Sequence, residues 1–149
     1  MARARVQAVG PAPQRWYRGD EVPLSAIRRF ARQVAERFGP DRIILFGSHA
    51  YGVPNVDSDV DILVVMPARN QLDQAFKIRL AVPAPFSMDL IVRTPKKLKW
   101  WLDEGESFHT EIVSRGKVLY AKGHGSMGPK SRRRPARGTA EPPVKTTRT

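Results

Sequence analysis

The stretch ILFGSHAYGVPNVDSDVDILVV, residues 44–65, decides the fold of this chain. It opens with a short apolar run that ends at Gly47-Ser48, and after ten intervening residues a second apolar run begins with Asp59-Val60-Asp61. Short β-branched and apolar runs of this length predict two buried strands. The brief HAYG segment between them (49–52) is suited to the start of a helix.

The residues on either side of this stretch predict an α/β chain. A helical stripe of apolar residues ends at Gly39-Pro40, a typical helix stop. The predicted elements are a helix over 24–38, strands over 42–46 and 59–66, a helix over 70–81, a strand over 86–94, one or two helices across 96–115 and a strand over 117–120. In the helix over 70–81 we expect Leu72, Ala75, Phe76 and Leu80 to face inward.

The positive charge of the chain is concentrated at its ends. The 149 residues carry a net charge of +12, of which +4 falls in residues 1–19, +1 in 20–121 and +7 in 122–149. The last segment has too few apolar residues to offset the entropy of ordering it. We therefore expect a basic flexible N-terminal arm over 1–19, one domain over 20–121 and a disordered basic tail over 122–149.

Composition also excludes several classes of protein. No run approaches the roughly 18 apolar residues of a membrane-spanning helix, so an integral membrane protein is excluded. The chain has no cysteine, which excludes disulfide scaffolds, zinc-thiolate sites and thiol nucleophiles. The first 16 residues lack the apolar core of a secretory signal, so we expect a cytoplasmic protein.

Paired carboxylates mark the start of the second strand. Side chains alternate along a strand, so Asp59 and Asp61 share a face, about 6.7 Å apart along the chain. Without a cation the two carboxylates repel each other, and at least one pKa should be raised. Asp89 lies in the next predicted strand, and it faces the same cleft if that strand pairs beside 59–66. Three such carboxylates would suit Mg²⁺, which prefers oxygen ligands. The alternatives to metal binding are that Asp59 and Asp61 are simply solvated carboxylates, and that Asp89 forms an ion pair with Arg93.

Gly47 and Ser48 have the chemistry of a phosphate site. A glycine after a strand lets the backbone approach a ligand closely, and Ser48 offers a hydroxyl and an N–H group. The start of a helix attracts phosphate through its unpaired N–H groups and dipole. Together with metal-binding carboxylates this pattern is typical of phosphoryl transfer, in which positioning and electrostatics supply most of the catalysis.

The chain resembles the DNA polymerase beta-like nucleotidyltransferase superfamily. It is most similar to the minimal nucleotidyltransferases, a group that includes antitoxins paired with HEPN-domain toxins. The likeness rests on residues 44–65, on MDLIV (88–92) and on EIVSRGKVLYAKG (111–123), and it covers roughly 22–121. It implies the nucleotidyltransferase fold, α/β (α+β), with a small mixed sheet of about four strands and helices packed mainly on one face.

The resemblance also implies roles for the carboxylates. Asp59 and Asp61 would ligate two Mg²⁺ ions, with Asp89 beside the metal that activates the acceptor hydroxyl. Asp89 would also serve as the general base. The implied metal ligands and catalytic residues are therefore Asp59, Asp61 and Asp89.

A second group of residues would bind the nucleotide. The resemblance implies that Gly47 and Ser48 hold the triphosphate, and His49 is a further candidate contact. Relatives often have an arginine soon after the Gly-Ser pair, whereas this chain has His49 and Tyr51 there.

The function that we expect is a Mg²⁺-dependent nucleotidyltransferase. It would move a nucleoside monophosphate, AMP from ATP, onto an acceptor hydroxyl on a partner protein such as a HEPN-type toxin. One alternative is a binding module that neutralises its partner by contact. Another is nucleic-acid binding through the basic ends, with no membrane partner in any of the three.

Overall fold

A four-stranded mixed sheet forms the centre of the computed structural model, which describes residues 15–123. The strand order is β3-β2-β1-β4. In chain order the elements are a 3₁₀ turn (Gly19–Glu21), α1 (Leu24–Phe38), β1 (Arg42–Phe46), α2 (Ser48–Tyr51), β2 (Val60–Val65), α3 (Gln71–Ala81), β3 (Met88–Arg93), α4 (Pro95–Asp103), α5 (Ser107–Arg115) and β4 (Lys117–Ala121). The expected α/β class and the mixed sheet of four strands are confirmed.

The pairing of the strands sets which residues share the end of the sheet. Strand β1 pairs antiparallel with both β2 and β4, whereas β2 and β3 are parallel. The β2–β3 register places Asp61 opposite Asp89, and the β1–β2 register places Asp61 opposite Phe46. The side-by-side pairing that the sequence analysis required for Asp89 is therefore present.

Helices cover both faces of the sheet, which corrects the expectation that they pack mainly on one. On one face, α1 and α3 enclose a core that includes Ile62 and Val64. On the other face, Leu98 of α4 and Ile112 of α5 pack with Leu63 and Val65. The physical reason lies in β2, where four consecutive residues from Ile62 are buried, so the strand needs an apolar cover on each side.

Helix α1 follows its sequence pattern closely. Its buried stripe consists of Ile27, Phe30, Ala31 and Val34. The helix ends at Gly39, which has a left-handed conformation with φ 56° and donates its N–H to Ala35 O at 3.0 Å. A glycine adopts this conformation without a steric penalty, which explains the stop at Phe38.

Helix α3 is oriented differently from the prediction. Leu72, Phe76 and Leu80 are 83%, 60% and 67% exposed, and the buried residues of the helix are Ala75 and Ile78. The helix carries two apolar stripes, and the one containing Ile78 faces the core. Of the four residues expected to face inward, only Ala75 is buried.

The start of the described chain lies against the domain. Tyr17 donates its backbone N–H to Pro85 O at 2.8 Å, and Gly19 is buried. These two residues belong to the segment 1–19 that was assigned to the N-terminal arm. Residues 1–14 of that arm and residues 124–149 of the tail lie outside the described residues. Within residues 15–123 no helix has the length and apolar character needed to cross a bilayer.

Candidate active site

Two carboxylates lie side by side at one end of the sheet. Asp61 is the second residue of β2 and is flanked by Phe46 of β1 and Asp89 of β3. Asp61 and Leu63 are two residues apart in β2, so their side chains point to the same face of the sheet, the one covered by α4 and α5. Asp61 is half-buried and Asp89 is exposed, so this pair of carboxylates is open to solvent on the β3 side.

Asp59 lies just before β2 and is exposed. Its Oδ1 accepts a hydrogen bond of 2.5 Å from the hydroxyl of Ser87, which lies just before β3. The bond joins the entrances of the two parallel strands. Arg93, the alternative partner considered for Asp89, instead donates to His109 Nε2 at 3.0 Å and to Val92 O.

Gly47 connects the Gly-Ser loop to the carboxylates. It has φ 75° and ψ −157°, a conformation that side chains strongly disfavour. A Cβ at this position would also collide with Oδ2 of Asp61. Only a residue without a side chain lets the loop lie this close to the Asp61 carboxylate.

Ser48 begins α2, a single turn that ends at Tyr51. The Gly47 carbonyl accepts hydrogen bonds from the N–H groups of Ala50 and Tyr51, each at 3.0 Å. The first N–H groups of a helix have no acceptor within it. The N–H groups of Ser48 and His49 are thus the ones without an acceptor inside the turn, and the role of Gly47 and Ser48 in phosphate binding stays a prediction.

His49 connects this turn to the start of the described chain. Its Nε2 lies 2.7 Å from Gly19 O, and since a carbonyl can only accept, Nε2 is the donor. The buried Nδ1 has no hydrogen-bond partner among the described residues. Gly19 is held tightly too, because a Cβ there would meet the backbone of Asn55 and Ser58. His49 therefore fixes α2 in place, and its role in binding nucleotide stays a prediction.

The charge cluster changes the ionisation of Asp61. Burial, followed by the charges of Asp89 and Asp59, raises the pKa of Asp61 from 3.8 to about 6, and His49 acts in the opposite direction. The sequence analysis expected a raised pKa from repulsion between Asp59 and Asp61. The rise is present at Asp61, with burial as its largest cause.

The carboxylates fit a metal that the substrate helps to hold. Among residues 15–123, no three His, Cys, Asp or Glu side chains converge closely enough to hold a metal ion by themselves. Mg²⁺ is commonly bound through one or two carboxylates together with waters and substrate phosphates. The carboxylate of Asp61, which lies against Gly47, and that of Asp59, two residues earlier, have the chemistry that suits such an arrangement. The three-residue ligand set with Asp89 stays a prediction.

Helix α5 supplies residues to which the sequence analysis gave no role. Phe108 is 45% exposed and meets Phe46 edge-to-face, with ring centroids 5.8 Å apart. The Arg115 guanidinium carbon lies 4.5 Å from the centroid of the Tyr51 ring. Both contacts cross from α5 to the β1–α2 segment, and no local pattern of the sequence could have indicated them.

The comparisons with known proteins agree with this geometry. The model of the nucleotidyltransferase domain family matches residues 27–118. This segment contains the Gly-Ser turn and all three carboxylates. The chain therefore belongs to the nucleotidyltransferase domain family, and the resemblance noted in the sequence is confirmed.

Individual relatives extend the comparison. A protein of Methanocaldococcus jannaschii named "Putative protein adenylyltransferase" is 29% identical over 105 residues, which cover 64% of this chain and 95% of the relative. A crystal structure of a "putative nucleotidyltransferase" from Sulfolobus solfataricus aligns with a TM-score of 0.47 and 20% identity. That alignment covers 66% of this chain and 80% of the other.

Proposed function

We propose that this protein transfers a nucleoside monophosphate, AMP from ATP, to a hydroxyl group on a partner protein in a Mg²⁺-dependent reaction. The observation that carries the proposal is the contact between the two halves of the site. The Gly47-Ser48 turn lies directly against the Asp61 carboxylate, which is next to Asp89 on the sheet. A triphosphate on the turn would thus lie beside the carboxylates.

Each residue has a chemical task in this proposal. Gly47 and Ser48 bind the phosphates through backbone N–H groups and the Ser48 hydroxyl. Asp59 and Asp61 hold Mg²⁺, which when bound would neutralise phosphate charge and favour ionisation of the acceptor hydroxyl. Asp89 is exposed beside Asp61 and would accept the proton of the acceptor.

The bond changes are those of a substitution at phosphorus. The acceptor oxygen bonds to the α-phosphorus while its proton passes to Asp89. The bond from the α-phosphorus to the bridging oxygen breaks, and pyrophosphate leaves. The protein contributes by aligning acceptor and triphosphate rather than by forming a covalent intermediate.

Two observations support a protein as the acceptor. The M. jannaschii relative is named for protein adenylylation. The exposed side chains of Leu72, Phe76 and Leu80 also form an apolar stripe on α3. Contiguous exposed apolar surface is typical of sites that bind another protein. A HEPN-type toxin is the partner that we propose.

The proposal is tested by incubating the protein with ATP, Mg²⁺ and the protein encoded beside it. We expect the mass of that partner to increase by AMP on a hydroxyl side chain, with loss of the modification in the Asp59→Ala plus Asp61→Ala variant. If the unmodified partner is still neutralised by this double variant, the protein acts by contact and the transferase proposal is wrong.

A further inference from the structure

The Gly-Ser turn contains no guanidinium or ammonium group of its own. Residues 47–52 read Gly-Ser-His-Ala-Tyr-Gly, and the imidazole of His49 is bonded to Gly19. A nucleoside triphosphate carries several negative charges, and the adjacent carboxylates add more. Any positive charge that the protein adds at the phosphates, beyond the Mg²⁺ of the proposed function, must therefore come from elsewhere in the fold.

Arg115, at the end of α5, brings a guanidinium to this turn. Its Cζ lies 4.5 Å from the centroid of the Tyr51 ring, a cation–π distance. Tyr51 is three residues after Ser48 in α2, and residues with this spacing lie on the same side of a helical turn. The guanidinium is thus held against the last residue of the turn that begins at Ser48.

The surroundings of Arg115 leave it available to a ligand. Its side chain is 55% exposed, and Nη1 forms an ion pair of 3.0 Å with Glu111 Oε2 one turn earlier in α5. Exposed ion pairs of this kind contribute little stability, so phosphate oxygens can replace the carboxylate at small cost. The Tyr51 ring restricts the side chain before the ligand arrives, which reduces the entropy lost on binding.

Guanidinium is well suited to phosphate. Its planar array of N–H donors forms paired, charge-assisted hydrogen bonds with phosphate oxygens. We propose that Arg115, held against Tyr51, binds the phosphates of the nucleoside triphosphate beside Ser48. This inference rests on the proposed function, and it assigns Arg115 to substrate binding.

The test is calorimetric titration of the full chain with Mg²⁺ and α,β-methylene ATP, an analogue that cannot be cleaved at the α-phosphorus. We expect Arg115→Gln to weaken binding about tenfold, the scale of a lost hydrogen bond to a charged group. Arg115→Lys should fall between Arg115→Gln and the wild type, because it keeps the charge without the planar fork. Arg115→Gln should affect AMP less than the analogue, since AMP lacks the polyphosphate.

Lys99→Gln is the matched control. Lys99 forms an exposed ion pair with Asp103 at the same four-residue spacing, in α4. It should change analogue binding less than twofold. Equal affinities for Arg115→Gln and Lys99→Gln would overturn the inference, as would an equal loss for AMP and the analogue. A wild-type chain that binds no analogue would instead overturn the proposed function.

Chemical modification of the wild-type protein tests the same inference without depending on whether a variant folds. Phenylglyoxal modifies exposed arginine side chains, and the rate at Arg115 can be followed by mass spectrometry. We expect Mg²⁺ with the analogue to slow modification of Arg115 several-fold and AMP to slow it less. An unchanged rate at a saturating concentration of analogue would contradict the inference.

Discussion

At the scale of single residues, the candidate site depends on how closely Gly47 approaches Asp61. Gly47 has φ 75°, and a side chain there would also collide with the Asp61 carboxylate. Gly105 has nearly the same φ of 73°, but nothing lies within 4 Å of the position where its Cβ would be. Of these two glycines, only Gly47 has a neighbouring atom in the position that a Cβ would take.

We expect Gly47→Ala to lower the free energy of unfolding by about 1–3 kcal/mol and by more than Gly105→Ala does, because the backbone conformation of Gly47 disfavours a side chain and Asp61 must move to admit a Cβ. Urea denaturation of both variants gives the difference. In an Asp61→Ala background the carboxylate is absent, so the excess cost of Gly47→Ala should shrink. An excess cost that is the same in both backgrounds would contradict the contact.

The raised pKa of Asp61 predicts how stability varies with pH. The pKa is about 6 in the folded protein against an ordinary value of 3.8, so the folded state holds this proton more tightly than the unfolded chain does. Without metal, the contribution of Asp61 to the free energy of unfolding should therefore fall as pH rises from about 4 to about 6, and level off above that.

Urea denaturation in the presence of a chelator, repeated across this pH range, measures the effect. Asp61→Asn should remove part of the fall, and Mg²⁺ should raise the stability of the wild type above pH 6 more than that of Asp61→Asn. Identical pH profiles for the two proteins would contradict the assignment of the shift to Asp61.

At the scale of elements, α3 shows where sequence patterns stop being informative. The strands around Gly47-Ser48 were predictable because buried apolar runs and strand alternation are local properties. The inward face of α3 was not, since Phe76 and Ile78 belong to two competing apolar stripes. Packing against β3 decides between them. The contacts of Arg115 with Tyr51 and of His49 with Gly19 could not be predicted from local patterns either, because they join segments far apart in the chain.

The orientation of α3 can be measured by substitution. Ile78 is fully buried, so Ile78→Ala should lower the free energy of unfolding by about 2–5 kcal/mol. Phe76 is 60% exposed, and Phe76→Ser should cost less than about 1 kcal/mol, the usual scale of surface changes. Thermal or urea unfolding of the two variants gives the comparison. A larger loss for Phe76→Ser would restore the orientation expected from the sequence.

At the scale of the whole molecule, the fold extends slightly beyond the domain limits expected from charge. Tyr17 and Gly19 lie before residue 20 and bond to Pro85 and His49. Lys122 lies after residue 121 and donates its backbone N–H to Asp41 O at 2.8 Å. The basic character of these two ends did not reveal such contacts, because they are made by the backbone.

Two fragments test these limits. Residues 15–123 should unfold at the same temperature as the full chain if the remaining residues lie outside the fold, as their composition predicts. Residues 20–121 lose the contacts of Tyr17 and Gly19 and should melt about 5 °C or more lower. Equal melting temperatures for the two fragments would show that the outer contacts contribute nothing.

The central claim is that the carboxylates beside Gly47-Ser48 support transfer of a nucleoside monophosphate. The most direct measurement compares ATP labelled at the α-phosphate with ATP labelled at the γ-phosphate, each incubated with the protein, Mg²⁺ and the protein encoded beside it. The account predicts label on the partner from the α-position only, and none with Asp59→Ala plus Asp61→Ala. Transfer from the γ-position, undiminished label with the double variant, or no transfer from any nucleoside triphosphate would contradict it.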